Sequence, residues 1–193
     1  EVLYEKGMLN TASHITNLAN LYLLHGLPYK AAGVLDKEMK ANIVESNERN
    51  LRLLSQAWYQ AREDEKAIPP LERAAQLTGD GELYIRLAQA HLNLENWNEA
   101  SSAVEKAQKA GGLKRNDTAN IMLGMALFNQ KRLEQARRAF ERAASDSRSK
   151  RAASQWIAYV DSELKRRELM NQALPESAPR ERDELLDVIE DQG

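Results

Sequence analysis

Between Gly81 and Gly112 the chain reads GELYIRLAQAHLNLENWNEASSAVEKAQKAGG, with apolar and small residues recurring every three or four positions. That period predicts two amphipathic helices separated by a turn at Glu95 and Asn96. Tyr84, Leu87, Ala88 and His91 share one face of the first helix, and Trp97, Ala100, Val104 and Ala107 share one face of the second. The small residues at 88, 100 and 107 carry the most information. A position that must be Ala, Ser or Gly is one where a neighbouring helix comes close, and a larger side chain would hold the two apart.

The same pattern returns three more times. Upstream it falls on Leu51, Leu54, Ser55, Trp58, Ala67, Leu71 and Ala74, and before that on Ile15, Leu18, Ala19, Tyr22, Ala31 and Leu35. Downstream it falls on Leu123, Gly124, Leu127, Leu133, Ala136, Phe140 and Ala143. Copies starting at Ala12, Glu48, Gly81 and Asp117 are spaced by about 34 residues, the period of the tetratricopeptide repeat, whose large and small positions these residues match. The chain is identified on this pattern as resembling that family. The fold implied is all-α: a right-handed superhelix of helix-turn-helix repeats with a C-terminal capping helix. The expected units are 12–47, 48–80, 81–116 and 117–148, a cap over 149–171 and an acidic, disordered tail over 172–193. Residues 1–11 read as the end of a preceding helix or repeat. Glu38 departs from the pattern, standing where a small residue is expected.

Local signals refine the elements. Pro28 suits a helix start, where its missing N–H would have no partner. Pro69 and Pro70 fall within a predicted helix, so that helix either starts late, near Ile68, or is bent. Gly111 or Gly112 ends the third copy, and Asn116 or Asp117 is expected to cap the next helix. The helix from about Ser149 to Met170 carries Trp156, Ile157 and Val160 on one side and polar residues on the other, as a terminal cap requires.

Composition narrows the function. The chain has no cysteine, which removes disulfides, thiol catalysis and thiolate metal sites. Net charge is −2, but from Ala173 onward seven acids face two bases, a local −5 against +3 for the remainder. That distribution lacks the concentrated basic face of a nucleic-acid binder, so no nucleic acid is expected as partner. No apolar run approaches the ~18 residues of a spanning helix, so no direct membrane insertion is expected. His14, His25 and His91 have no metal-ligand spacing, and no nucleophile, phosphate loop or zinc motif is present. The expectation is a protein that is not an enzyme, with no cofactor and no metal.

What the repeat family implies instead is a concave groove lined by the first helix of each copy. Mapped by register, the groove residues are Asn17 and Asn20; Arg49, Arg52, Gln56 and Tyr59; Arg86, Gln89 and Asn93; and Met122, Met125 and Phe128. Amides at 20, 56 and 89 can pair with a peptide backbone in either sense, the arginines can meet a carboxylate, and the last three form an apolar end. The Lys/Asn/Arg carboxylate clamp of some relatives is not reproduced, since Thr16 stands at its first lysine.

A narrower resemblance rests on HGLPYKAA, AIPP and SQWIAYV together with the surrounding strings. These look like the tetratricopeptide protein encoded beside ExbB, ExbD and TonB in some Gram-negative bacteria. It implies a periplasmic accessory of TonB-dependent transport, with TonB, ExbB or ExbD components as partners. Alternatives are a general cell-envelope assembly scaffold, a nucleotide- or RNA-associated regulator, and the regulatory part of a larger, cytoplasmic or periplasmic, protein whose active domain precedes residue 1.

Overall fold

The computed structural model describes residues 2–173, and the acidic tail lies outside them. Among the described residues the chain is all helical, and the helices alternate in direction along a right-handed superhelix. After a short α1 (Val2–Glu5) come four hairpins: α2 (Ala12–Leu24) with α3 (Pro28–Lys40), α4 (Glu48–Gln60) with α5 (Asp64–Thr78), α6 (Gly81–Asn93) with α7 (Trp97–Ala110), and α8 (Asn116–Asn129) with α9 (Leu133–Ala144). The long α10 (Lys150–Ala173) packs on α9. Each helix from α2 onward packs on the next, so the core is a continuous ribbon from Ile15 to Val160 rather than one central cluster.

The small positions do the work that the pattern predicts. Ala19, Ala31, Ala67, Ala74, Ala88, Ala100, Ala107, Ala136 and Ala143 are all fully or almost fully buried, and Ser55 is buried at the same register. The fourth copy takes this furthest. A Cβ on Gly124 would lie 2.5 Å from the Phe140 ring, so the largest side chain of its register is admitted by the smallest. Phe140 then stacks on Trp156 of α10 at 5.2 Å between centroids and 6° between planes. The first cap surface of α10 is therefore aromatic, with Trp156 as the seal.

All four hairpin turns use one device. The residues two past the helix ends, Gly26, Arg62, Glu95 and Lys131, have φ of 69°, 62°, 58° and 60°. In each, two backbone N–H groups turn back to the last free carbonyls, as Leu27 N does to Tyr22 O at 2.8 Å and Arg132 N to Leu127 O at 2.9 Å. Only the first copy spends a glycine there. The other three accept a left-handed side-chain-bearing residue, a cost of roughly 1–2 kcal/mol each that the packed hairpin offsets.

Three of the repeat-opening helices are capped by side chains: Thr11 accepts from His14 N, Asn47 from Asn50 N and Asp80 from Glu82 N. The expected cap at Asn116 or Asp117 is not made. α8 begins after Arg115 without a side-chain cap bond. Asp117 is instead buried in a charge cluster, accepting from Arg115 Nη2 at 2.7 Å and Ser149 Oγ at 2.6 Å, with Arg148 at 3.6 Å. This carboxylate ties the start of the fourth repeat to the start of the cap. The Pro69–Pro70 helix does not start late: α5 runs through both prolines, with Pro70 buried and Pro69 exposed. Glu38, the departure from the pattern, is buried because the Tyr4 hydroxyl donates to its Oε1 at 2.6 Å, which docks α1 on the first repeat.

Two predictions follow from this packing. Gly124→Ala should destabilise the chain by about 1–3 kcal/mol, because the buried ring has no open space into which to move; denaturant unfolding reads it directly. The hydrogen bonds from Arg115, then Ser149, hold the Asp117 carboxyl well below the usual carboxylate range. A depressed folded-state pKa contributes stability that is fully present above the unfolded value near ~3.9 and is lost as pH falls toward the folded one. Asp117→Asn should therefore cost about 1–3 kcal/mol at neutral pH. The difference from the parent chain should shrink below about pH 4.

Candidate functional site

The first helix of each hairpin lines the inner side of the superhelix, and the structure gathers five of the twelve predicted groove residues at one place. Arg52, Gln56 and Tyr59 from α4, with Arg86 and Gln89 from α6, surround a cavity of about 380 Å³. Its floor is Ser55, Ala67, Leu71, Leu83 and Ala90. The hollow has a local cause. Ser55, Ala67 and Ala90 are the small residues that let α4, α5 and α6 converge, and their short side chains leave the space between the second and third copies open.

The charged residues of the rim are Arg52 and Arg86, and no carboxylate lines it. Arg52 is partly engaged, donating from Nη1 to Glu48 Oε1 at 2.7 Å with Asp80 Oδ2 at 3.7 Å, both outside the cavity lining. Arg86 is exposed and makes no hydrogen bond or ion pair among the described residues, and Gln56 likewise keeps its amide free. Gln89 Nε2 donates to Asn93 Oδ1 at 2.9 Å, and Asn93 Nδ2 donates to Asp64 Oδ2 at 3.3 Å, so the outer end of the rim is held by a short polar chain. Tyr59 is 45% exposed and presents its ring at the mouth.

The remaining predicted residues do not join this cavity. Asn17, Asn20 and Arg49 are exposed elsewhere along the groove, and the Asn20 amide is turned onto its own helix at Thr16 O, 2.9 Å away. The apolar end is a correction. Met122 is 5% exposed and belongs to the core, because a thioether at this register packs inward where Arg86 and Asn17 at the equivalent positions must reach solvent. Met125 and Phe128 are half-buried, and Phe128 meets Tyr159 at 5.1 Å and Trp156 at 5.9 Å, so the capping helix already uses that surface. The floor is what the register does not single out: Leu71 reads as a packing position and Leu83 falls on no position of the pattern, although their small neighbours carry a signal.

His91 is partly buried on the outer side of α6, and its Nδ1 has no partner. Burial lowers its pKa. Trp58 lies beneath the Lys66 ammonium at 4.9 Å and edge-on to Tyr29 at 5.5 Å, which is packing between the first and second hairpins. No group of three His, Asp or Glu side chains that could hold a metal ion exists among the described residues, and none of the described helices is long and apolar enough to cross a membrane.

Comparison with known proteins agrees with the all-helical repeat fold. Residues 117–145 match the tetratricopeptide repeat. No curated protein sequence matches the chain. Among solved structures, the chain is similar to MamA from Desulfovibrio magneticus RS-1, residues 41 to the end, at a TM-score of 0.66 and 16% identity, covering 80% of this chain and 85% of that one. Another crystal structure of MamA superposes at 0.61 and 22% identity over 78% of this chain and 80% of that one, and MamA AMB-1 at 0.65 and 18% over 81% and 84%. At these identities the likeness shows the fold alone, an all-helical superhelix of the tetratricopeptide kind.

Proposed function

We propose that this chain is a non-enzymatic protein-interaction scaffold that captures a peptide or helix bearing carboxylates next to apolar side chains. The observation that carries the reading is the cavity between the second and third repeats. Two arginines without a carboxylate between them, two amides and an apolar floor form a site whose volume lies within the ~300–1,000 Å³ usual for ligand sites. The arginines supply charge-assisted bonds to the partner's acids, the amides pair with its backbone and Leu71 and Leu83 take its apolar anchors. An affinity near ~1 μM, about −8 kcal/mol, suits a contact of this size.

The finer reading, a periplasmic accessory of TonB-dependent transport with TonB, ExbB or ExbD components as partners, rests on the sequence resemblance alone. Crosslinking and recovery from a Gram-negative envelope fraction tests it: enrichment of those components supports it, and recovery of other assembly factors in their place leaves the general scaffold. The groove itself is tested by Arg52→Glu with Arg86→Glu. Binding of a labelled acidic, Leu-containing peptide should fall at least tenfold by fluorescence anisotropy. Circular dichroism should stay nearly unchanged and the melting temperature should fall only slightly, since Arg86 is exposed and the Arg52–Glu48 pair that is lost is partly solvated. Undiminished binding would remove the groove as the site.

A further inference from the structure

Of the three amides that the register sets along the groove, Asn20 donates to Thr16 O on its own helix and Gln89 donates to Asn93 Oδ1. Gln56, on the cavity lining, is the one that makes no hydrogen bond among the described residues. The line of free amides that an extended backbone would follow is therefore broken on both sides of the cavity. Charge is equally local. Arg52 is answered in part by Glu48 at 2.7 Å, which leaves Arg86 as the cation of the lining with no ion-pair partner among the described residues. Size sets the third limit: about 380 Å³ is room for about a dozen waters at ~30 Å³ each, and so for a ligand of about ten to fourteen non-hydrogen atoms.

We infer that the cavity is a binding site for a small monocarboxylic acid with an apolar body, an arylalkanoate or a medium-chain fatty acid. The Arg86 guanidinium and the Gln56 amide donate to its carboxylate, and Leu71 and Leu83 pack along its body. The charge count favours a monoanion. A second carboxylate would have to take Arg52 from Glu48 or lie unpaired against the apolar floor, and an unpaired buried charge is costly. A neutral ligand of the same shape would leave Arg86 to water and forgo the charge-assisted bond. This inference shares its cavity with the peptide reading above but does not need a peptide to bind there. Where both ligands bind, the consequence is regulation: a small acid that fills the floor excludes the apolar anchor of an acidic peptide and occupies the same guanidinium.

The test is an NMR titration of the complete, isotope-labelled chain with phenylbutyrate and octanoate, and with phenylbutyramide and butyrate as controls. At least one of the two acids should give saturable shifts at the amides of Gln56, Tyr59, Leu83 and Arg86, with a Kd below about 1 mM. Phenylbutyramide has the body without the charge and butyrate the charge without the body, so each should bind at least tenfold more weakly than phenylbutyrate. Arg86→Met should weaken the acid at least tenfold and leave the amide unchanged, a pattern that a general loosening of the fold would not produce. Arg52→Met should weaken the acid less, because Glu48 already shares that guanidinium. Equal binding of acid and amide, or shifts that neither saturate nor centre on the cavity, would overturn the inference. A labelled acidic, Leu-containing peptide separates it from the peptide reading. If the peptide binds and neither acid does, the groove reading stands and the small-acid site is wrong. If an acid binds and the peptide does not, the small-acid site stands and the groove reading is wrong. Where both bind, the acid should displace the peptide; simultaneous occupancy would remove the acid from this cavity.

Discussion

Everything in this fold depends on how closely one helix can lie against the next. Across the four copies the residues at 19, 55, 88 and 124 are Ala, Ser, Ala and Gly, and those sixteen positions later are Leu35, Leu71, Val104 and Phe140, all of them buried. Each hairpin sets one small residue in its first helix in register with one bulky residue in its second. The fourth copy is the extreme case, where the absent side chain at 124 is filled by the Phe140 ring. Because that ring also carries Trp156, the closing of the superhelix by α10 is transmitted through a single glycine.

The same constraint produces the cavity. A helix pair that meets over alanine and serine leaves hollow any place where three helices converge and none contributes bulk. Between the second and third copies that condition is met by Ser55, Ala67 and Ala90. Between the fourth copy and the cap it is not, because Phe128, Trp156 and Tyr159 fill the equivalent space. The cavity is therefore a by-product of the packing code, located where the code is satisfied with the least volume.

Much of the architecture was legible because its period is long and its small residues are restrictive. α2, α4 and α6 run over the segments that the register marks, and the turn at Glu95 and Asn96 lies where it is expected. Other features could not be read locally. The burial of Glu38 depends on a hydroxyl 34 residues away, and Asp117 is a cap by sequence but an ion-cluster residue once Ser149 folds against it. Three turns adopt left-handed backbone at Arg62, Glu95 and Lys131, where side-chain-bearing residues give no warning. The prolines inside α5 suggest a late start or a bend; the helix persists through them, with Pro70, Leu71, Ala74 and Ala75 all buried.

For the groove, register identified the lining residues, but only burial sorted them. Asn17, Arg86 and Met122 are equivalent in the repeat, yet two reach solvent and the third is core. Side-chain chemistry decides this, since a guanidinium buried without a partner would cost far more than an exposed thioether. Desolvation then makes the difference between the two arginines of the cavity. Arg52 is held by Glu48 and brings orientation with part of its charge already answered, whereas Arg86 has no ion-pair partner among the described residues. A carboxylate entering the cavity gains most from Arg86, because that bond replaces only water. Arg52 must share its guanidinium with an existing partner, so it contributes position more than affinity. The proposed site thus pairs one pre-oriented donor with one available donor, and the preference for acids proposed for it follows from the second.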